Sequence, residues 1–238
     1  MNSTTGKRIC SAAVILLAAA AVFSDSAETL LYKDDFESVV PGRSPLKWGR
    51  AWGAQGKDLF YVSSECSAAG NNSLMFQRLD SPGQWGAGIR LPSPKKGIQK
   101  IEFKFFLDGP ADQTCISFEI RDAKQVGLRL LSTSMKRQVL RAQSPAKTKK
   151  KKTKGDGTLG RISNDRWYQL SFSLPLTPED GEYALCELTD LATGKRTSIE
   201  ILFRHPNDGL GSLYLNFPPY TKNYRVFLDD FRVTLKNK

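Results

Sequence analysis

The chain has 238 residues, of which 40% are hydrophobic and 25% charged, with 19 glycines, 12 prolines and a formal net charge of +11. This suits one large domain or two small ones, and it excludes a coiled coil, a multi-span membrane protein and a wholly disordered chain. A single histidine and 4 cysteines leave little material for a zinc centre or a histidine-based catalytic network.

Residues 1–27 read as an export signal. Lys7 and Arg8 are basic, 11–23 form a run of 13 apolar or small residues, and Ser24-Asp25-Ser26-Ala27 is small and polar. The run is short for a bilayer span, and its flanks have the three-part layout of a cleaved leader. Cys10 precedes the run, whereas a lipoprotein cysteine would follow it. The alternative is an anchor that stays uncleaved. No later segment is apolar enough to be transmembrane, so the expected place of residues 28–238 is secreted, periplasmic or cell-surface. Removing Lys7, Arg8 and Asp25 with the leader leaves a net charge of +10. Cys66, Cys115 and Cys186 remain, an odd number that allows at most one disulfide. They are expected as small buried hydrophobes, with one bridge as the alternative.

From residue 28 onward the pattern is that of strands. Segments 73–79 and 85–91 come first. Ile101, Phe103, Phe105 and Leu107 then alternate with polar neighbours, as do Ile116, Phe118 and Ile120. Period-two alternation marks half-buried strands. Segments 126–131 and 138–142 follow. Ala146 to Gly160 holds Lys147, Lys149, Lys150, Lys151, Lys152 and Lys154 without apolar anchors, so a mobile lysine-rich loop is expected at about 143–160. Tyr168, Leu170, Phe172 and Leu174 alternate again, and 183–189, 198–203, 212–217 and 225–235 complete the series. Turn signals separate the runs, among them Asp80-Ser-Pro-Gly83, Glu179-Asp-Gly181 and Asn207-Asp-Gly209. No stretch after the leader carries a helical stripe. A dozen or so short strands with no internal boundary predict one all-β domain over 28–238, a two-sheet antiparallel jelly-roll sandwich whose first and last strands lie side by side.

Particular segments carry a family resemblance. Leu30-Leu-Tyr-Lys-Asp-Asp-Phe-Glu-Ser38, Pro45 with Trp48, Gly70-Asn-Asn-Ser-Leu74, Asn164-Asp-Arg-Trp-Tyr-Gln-Leu170, Asp190-Leu-Ala-Thr-Gly194 and Phe227-Leu-Asp-Asp-Phe-Arg-Val233 resemble concanavalin A-like lectin and glucanase domains. Laminarinase-type enzymes and carbohydrate-binding jelly rolls share these signatures. The resemblance implies a jelly-roll sandwich and a carbohydrate-related role. It also implies a structural calcium where the terminal strands meet, held by Asp229, the Gly70 carbonyl and Asp35 or Glu37. Capping or solvent-facing acids are the alternative.

Enzymes of the laminarinase type carry a Glu-x-Asp-x-x-Glu strand, which places its carboxylates together for acid and nucleophile roles. Here Phe118-Glu-Ile-Arg-Asp122 has Arg121 in the middle position and no third glutamate. Glu119 and Asp122, an odd spacing apart, are predicted on opposite faces. Lyases need a Tyr or His base and a cation or amide against a uronate carboxylate. His205 falls in a loop, and Arg121 and Arg129 on central strands could hold an anionic sugar or be ordinary polar-face residues. Aromatic platforms bind sugars by stacking. Trp52 and Trp85, flanked by glycines, are candidates with Glu119, Arg121 and Arg129, and Tyr220 and Tyr224 are expected in a Pro-rich loop before the last strand. Trp48 and Trp167 are expected in the core. The expected function is therefore a non-catalytic carbohydrate-binding or surface-interaction module. A polysaccharide lyase or glycoside hydrolase with a divergent site and a structural envelope protein are the alternatives. The expected partner is a glycan, neutral or anionic, with no nucleic acid and a monomeric chain.

Overall fold

The computed structural model describes residues 28–52, 59–79, 85–109, 116–124, 127–134, 139–142, 157–217 and 223–237. The expected leader at 1–27, Cys115, Tyr220 and the lysine run at 147–154 lie outside the described residues. In chain order the strands are β1 (Thr29–Asp34), β2 (Trp48–Trp52), β3 (Leu59–Ser63), β4 (Ser73–Arg78), β5 (Trp85–Arg90), β6 (Ile98–Asp108), β7 (Ser117–Asp122), β8 (Gly127–Ser134), β9 (Val139–Ala142), β10 (Gly157–Arg161), β11 (Trp167–Pro175), β12 (Tyr183–Asp190), β13 (Arg196–Leu202), β14 (Leu210–Phe217) and β15 (Tyr224–Lys236). Among the described residues there is no helix, and none is long and apolar enough to cross a membrane.

The strands form two antiparallel sheets. One runs β13-β12-β11-β6-β15-β4-β3, with β1 also on β15, and the other runs β10-β9-β8-β7-β14-β5-β2. Their facing sides hold Phe76, Trp85, Phe103, Phe105, Phe118, Phe172, Phe217 and Phe231, all buried. Burying each such ring contributes about 1.5–3 kcal/mol. The 11-residue β6 shows the cause: its burial alternates residue by residue, which places Ile101, Phe103, Phe105 and Leu107 inward.

The last strand joins the ends of the chain. Its first half pairs with β4, Tyr224 opposite Arg78 and Leu228 opposite Leu74. Its second half pairs with β1, Phe231 opposite Asp34 and Leu235 opposite Thr29. The register shifts between Asp229 and Arg232, and Asp230 has φ 48°. That irregularity slips the alternation by one residue, so Val226 and Leu228 face the core before it and Phe231 and Val233 after it. The predicted side-by-side termini are present.

Four expectations are corrected here. Residues 157–160, assigned to the lysine-rich loop, belong to β10, because Leu159 is buried between the sheets. Trp48 is core, whereas Trp167 is half-buried on the outer face of the larger sheet, 5.4 Å from the Phe106 ring. Tyr224 opens β15 fully buried, its hydroxyl donating to Asn164 Oδ1 at 2.8 Å. Cys66 is a half-buried free thiol rather than a core residue.

Cys186 is a buried free thiol, and burial pushes it up to about 12. Little thiolate then exists near neutral pH, so alkylation requires opening of the fold. Iodoacetamide is expected to leave Cys186 unlabelled in the native protein at mildly alkaline pH and to label it in denaturant. Mass spectrometry of the Cys186 peptide checks this.

Candidate functional site on the outer face of the seven-stranded sheet

Alternation on β7 sends Phe118 and Ile120 into the core and leaves Glu119 and Arg121 on the opposite face. On β14, Leu213, Leu215 and Phe217 are core, which places Tyr214 and Asn216 on that same outer face. Strand pairing then aligns one row across five strands. Arg129 of β8 is opposite Glu119, Glu119 opposite Tyr214, Tyr214 opposite Gly88, and Gly88 opposite Gly49 of β2. The neighbouring row contains Ser117, Asn216 and Gly86, with Trp52 in register with Gly86.

The side chains interlock. Arg121 Nε donates to Glu119 Oε1 at 3.0 Å, and Asn216 Nδ2 donates to Glu119 Oε2 at 3.2 Å. Held this way, the Arg121 guanidinium lies 4.7 Å over the Tyr214 ring. Both oxygens of Glu119 are committed to donors, which fixes the direction of the arginine fork. Asn216 Oδ1 and Ser212 Oγ are buried and have no hydrogen-bond partner among the described residues.

Glycine makes the floor. A Cβ at Gly86 would collide with Asn216 Oδ1, and one at Gly88 with the Leu213 carbonyl and the Tyr214 ring. Only hydrogen at these positions lets the amide and the phenol lie flat on β5. Beside them opens a shallow recess of about 530 Å³, bordered by Lys47, Gly49, Gly88, Arg90 and Tyr214. Lys47 Nζ sits 4.4 Å over the Tyr32 ring. Arg90 is exposed and its guanidinium makes no ion pair or hydrogen bond among the described residues.

The sequence candidates therefore divide. Glu119 and Arg121 meet in one cluster. Arg129 and Trp52 enter the same rows by register, and their side chains lie outside the described residues. Trp85 is corrected: it is 0% exposed and stacks on Phe217 with centroids 5.0 Å apart. Glycine alternates with Trp85 along β5, so the bare face is the one the indole does not occupy. His205 lies in the loop between β13 and β14, its Nε2 2.7 Å from the Gly181 carbonyl, and it makes no hydrogen bond or ion pair with Glu119 or Arg121 among the described residues. Asp122, as predicted, faces away from Glu119 and accepts from Asn207 Nδ2 at 3.0 Å. Tyr214, Asn216 and Arg90 had no signal of their own; the Gly-Ala-Gly alternation of 86–88 was the one sequence trace of the groove.

The residues expected around calcium also come together in part. Asp229 Oδ2 accepts from the Ala68 and Ala69 amides at 2.8 and 3.0 Å. Glu37 Oε1 accepts from Asn71 and Asn72 at 2.9 and 2.8 Å, and Gly70 lies against Glu37. Asp35 instead pairs with Lys33 at 2.8 Å, and that hydrogen bond holds its carboxyl below the usual carboxylate range. Among the described residues no three His, Cys, Asp or Glu are grouped to hold a metal. Calcium needs six to eight free oxygens, whereas these carboxylates are taken by amide hydrogens. The donor set as it stands does not fit the ion.

No protein-family model matches the chain, and no curated protein matches it in sequence. Solved structures match in shape. An endo-β-1,4-glucuronan lyase from the fungus Trichoderma reesei aligns with TM-score 0.57 at 11% identity, over 87% of this chain and 96% of that one. An alginate lyase variant in complex with an alginate trisaccharide aligns with TM-score 0.56 at 10% identity, over 89% and 98%. A chain described with endo-acting O-glycanases of the human gut microbiota aligns with TM-score 0.60 at 11% identity, over 88% and 100%. At such identities the likeness is one of fold. With two antiparallel sheets, paired terminal strands and these neighbours, the chain has the concanavalin A-like jelly-roll fold.

Proposed function

We propose that the chain is an exported module that binds acidic polysaccharide on the outer face of its seven-stranded sheet. The observation that carries this reading is the Arg121 fork, fixed by Glu119 and Asn216 above Tyr214, beside a glycine floor and the free Arg90. A sugar ring can enter the recess beside Tyr214 and Gly49, and guanidinium groups meet uronate carboxylates in bidentate geometry. The fold neighbours support the polymer class, since two are named for polyuronates. The export reading of residues 1–27 puts the module where such polymers occur.

Calorimetric titration with alginate, polyglucuronate and a neutral glucan tests it. The acidic polymers are expected to bind and the neutral glucan not to. Arg121→Gln is expected to weaken binding about tenfold or more, because a hydrogen bond to a charged group contributes about 1.5–3 kcal/mol. Equal binding of the neutral glucan, or an unchanged affinity in the variant, contradicts the proposal.

Tyr214 supports a second reading, cleavage by β-elimination. Its phenol borders the recess beside a guanidinium. In that reaction Tyr214 takes the proton α to the uronate carboxylate, the electron pair forms the ring double bond, and the glycosidic oxygen leaves as an alcohol after taking a proton back from the phenol. Ultraviolet absorbance of unsaturated uronate that grows with the wild type and not with Tyr214→Phe establishes cleavage. A flat trace across a polyuronate panel rules it out.

A further inference from the structure

A second recess opens where the sheets part at one edge. Strand β10 ends the seven-stranded sheet, and there it packs on β12 and β13 of the other sheet. Gly160 permits the approach, because a Cβ there would stand 2.7 Å from Leu188 Cδ2. The recess holds about 530 Å³, as much as the one beside Tyr214. Its deep side is apolar, formed by Ile162, Tyr168 and Leu188, all buried. Its rim carries Arg161, Arg166 and Lys195 against the single carboxylate of Asp190.

That carboxylate is already used. Asp190 Oδ2 pairs with Arg166 at 3.3 Å, and Oδ1 accepts from the Ala192 amide at 2.9 Å. Arg161 and Lys195 are exposed, and their side chains make no ion pair or hydrogen bond among the described residues. The Tyr168 hydroxyl accepts from the Ser163 amide at 2.9 Å, so the floor has a satisfied polar group and an apolar ring. Two unneutralised cations over an apolar hollow suit an anionic sugar, with the ring face on the floor and the oxyanion at the rim.

We propose that this edge recess is a second binding site, separate from the outer face, that takes a sulfate or carboxylate substituent of an acidic polysaccharide. It rests on the outer-face reading for the class of polymer alone. Two sites on one chain hold one polymer by effective concentration.

The test uses the whole protein at low salt, with dextran sulfate, alginate, neutral dextran and duplex DNA as probes. The pair Arg161→Gln/Lys195→Gln is expected to lower affinity for dextran sulfate or alginate about tenfold, and the polymer that loses more identifies the oxyanion. A control pair, Lys95→Gln/Lys124→Gln, removes the same charge from exposed lysines that lie against Asp208, and it is expected to change affinity less than twofold. All four side chains are exposed, so folding is retained, and circular dichroism confirms it. No loss on either polymer overturns the proposal. An equal loss in the control pair also overturns it, because attraction would then be diffuse. Tighter binding of DNA than of either acidic polysaccharide overturns it as well. If the outer-face reading fails, Arg121→Gln binds as wild type while the recess pair still shows its loss.

Discussion

Asp229→Ala is expected to destabilise the protein by about 3 kcal/mol. The side chain is 1% exposed and accepts three backbone amides: Ala68 and Ala69 on Oδ2, and Asp230 at 2.7 Å on Oδ1. Each amide left without an acceptor costs about 1–3 kcal/mol where water cannot replace the carboxylate. The Asp230 amide belongs to a residue with positive φ, at the point where β15 changes partner from β4 to β1. Removing Asp229 therefore loosens the loop before β4 and the junction of the chain ends together. Burial pushes this carboxyl above its ordinary range despite the three amides that pull it down. Asp229→Asn keeps one acceptor oxygen and avoids burying a charge, so it is expected to fall between wild type and alanine. Urea denaturation followed by tryptophan fluorescence gives both values. A heat of binding and a rise in Tm when Ca²⁺ is added to the chelated protein would mean that a cation, rather than the amides, occupies these carboxylates.

Trp85→Ala is expected to cost about 3–5 kcal/mol, the range for deleting a large buried aromatic. The indole is fully enclosed, stacked on Phe217 and 6.3 Å from Phe76. In a domain of this size that loss lowers Tm by roughly 10 °C. Polysaccharide affinity measured where the variant remains folded is expected to stay near wild type. A sugar-stacking tryptophan would behave oppositely, with binding lost and stability little changed. The two measurements together separate a core residue from a platform.

Much of the fold was legible because burial in a sandwich has a period of two. Ile101 to Leu107 and Tyr168 to Leu174 alternate without a break, and both became central strands of the larger sheet. The terminal pairing was legible from the shared acidic and aromatic ends. The β15 irregularity was not, since Asp229-Asp230 looks like any polar pair until alternation is seen to resume one residue out of step. Strand β10 was hidden because Gly157-Thr-Leu-Gly-Arg161 has one strongly apolar residue, and its fit depends on Leu188 and Thr197 from distant strands. Half of the candidate site was legible: alternation alone puts Glu119 and Arg121 on one face. The other half comes from β14, and which strand pairs with β7 is a long-range fact that no local pattern encodes. Trp85 was misjudged because glycine neighbours were taken as a sign of exposure. On a strand, neighbours face the other way, so the glycines reported the groove and the tryptophan reported the core.

An NMR titration of the protein with a short polyuronate oligosaccharide tests the outer-face site most directly. The account predicts that amide shifts concentrate at Gly86, Gly88, Glu119, Arg121, Tyr214 and Asn216, with a separate set at the edge recess around Arg161 and Lys195 and the outer face of the larger sheet unmoved. Shifts that centre on Lys104, Trp167 and Arg232 across the molecule, or that scatter without saturating, would contradict it.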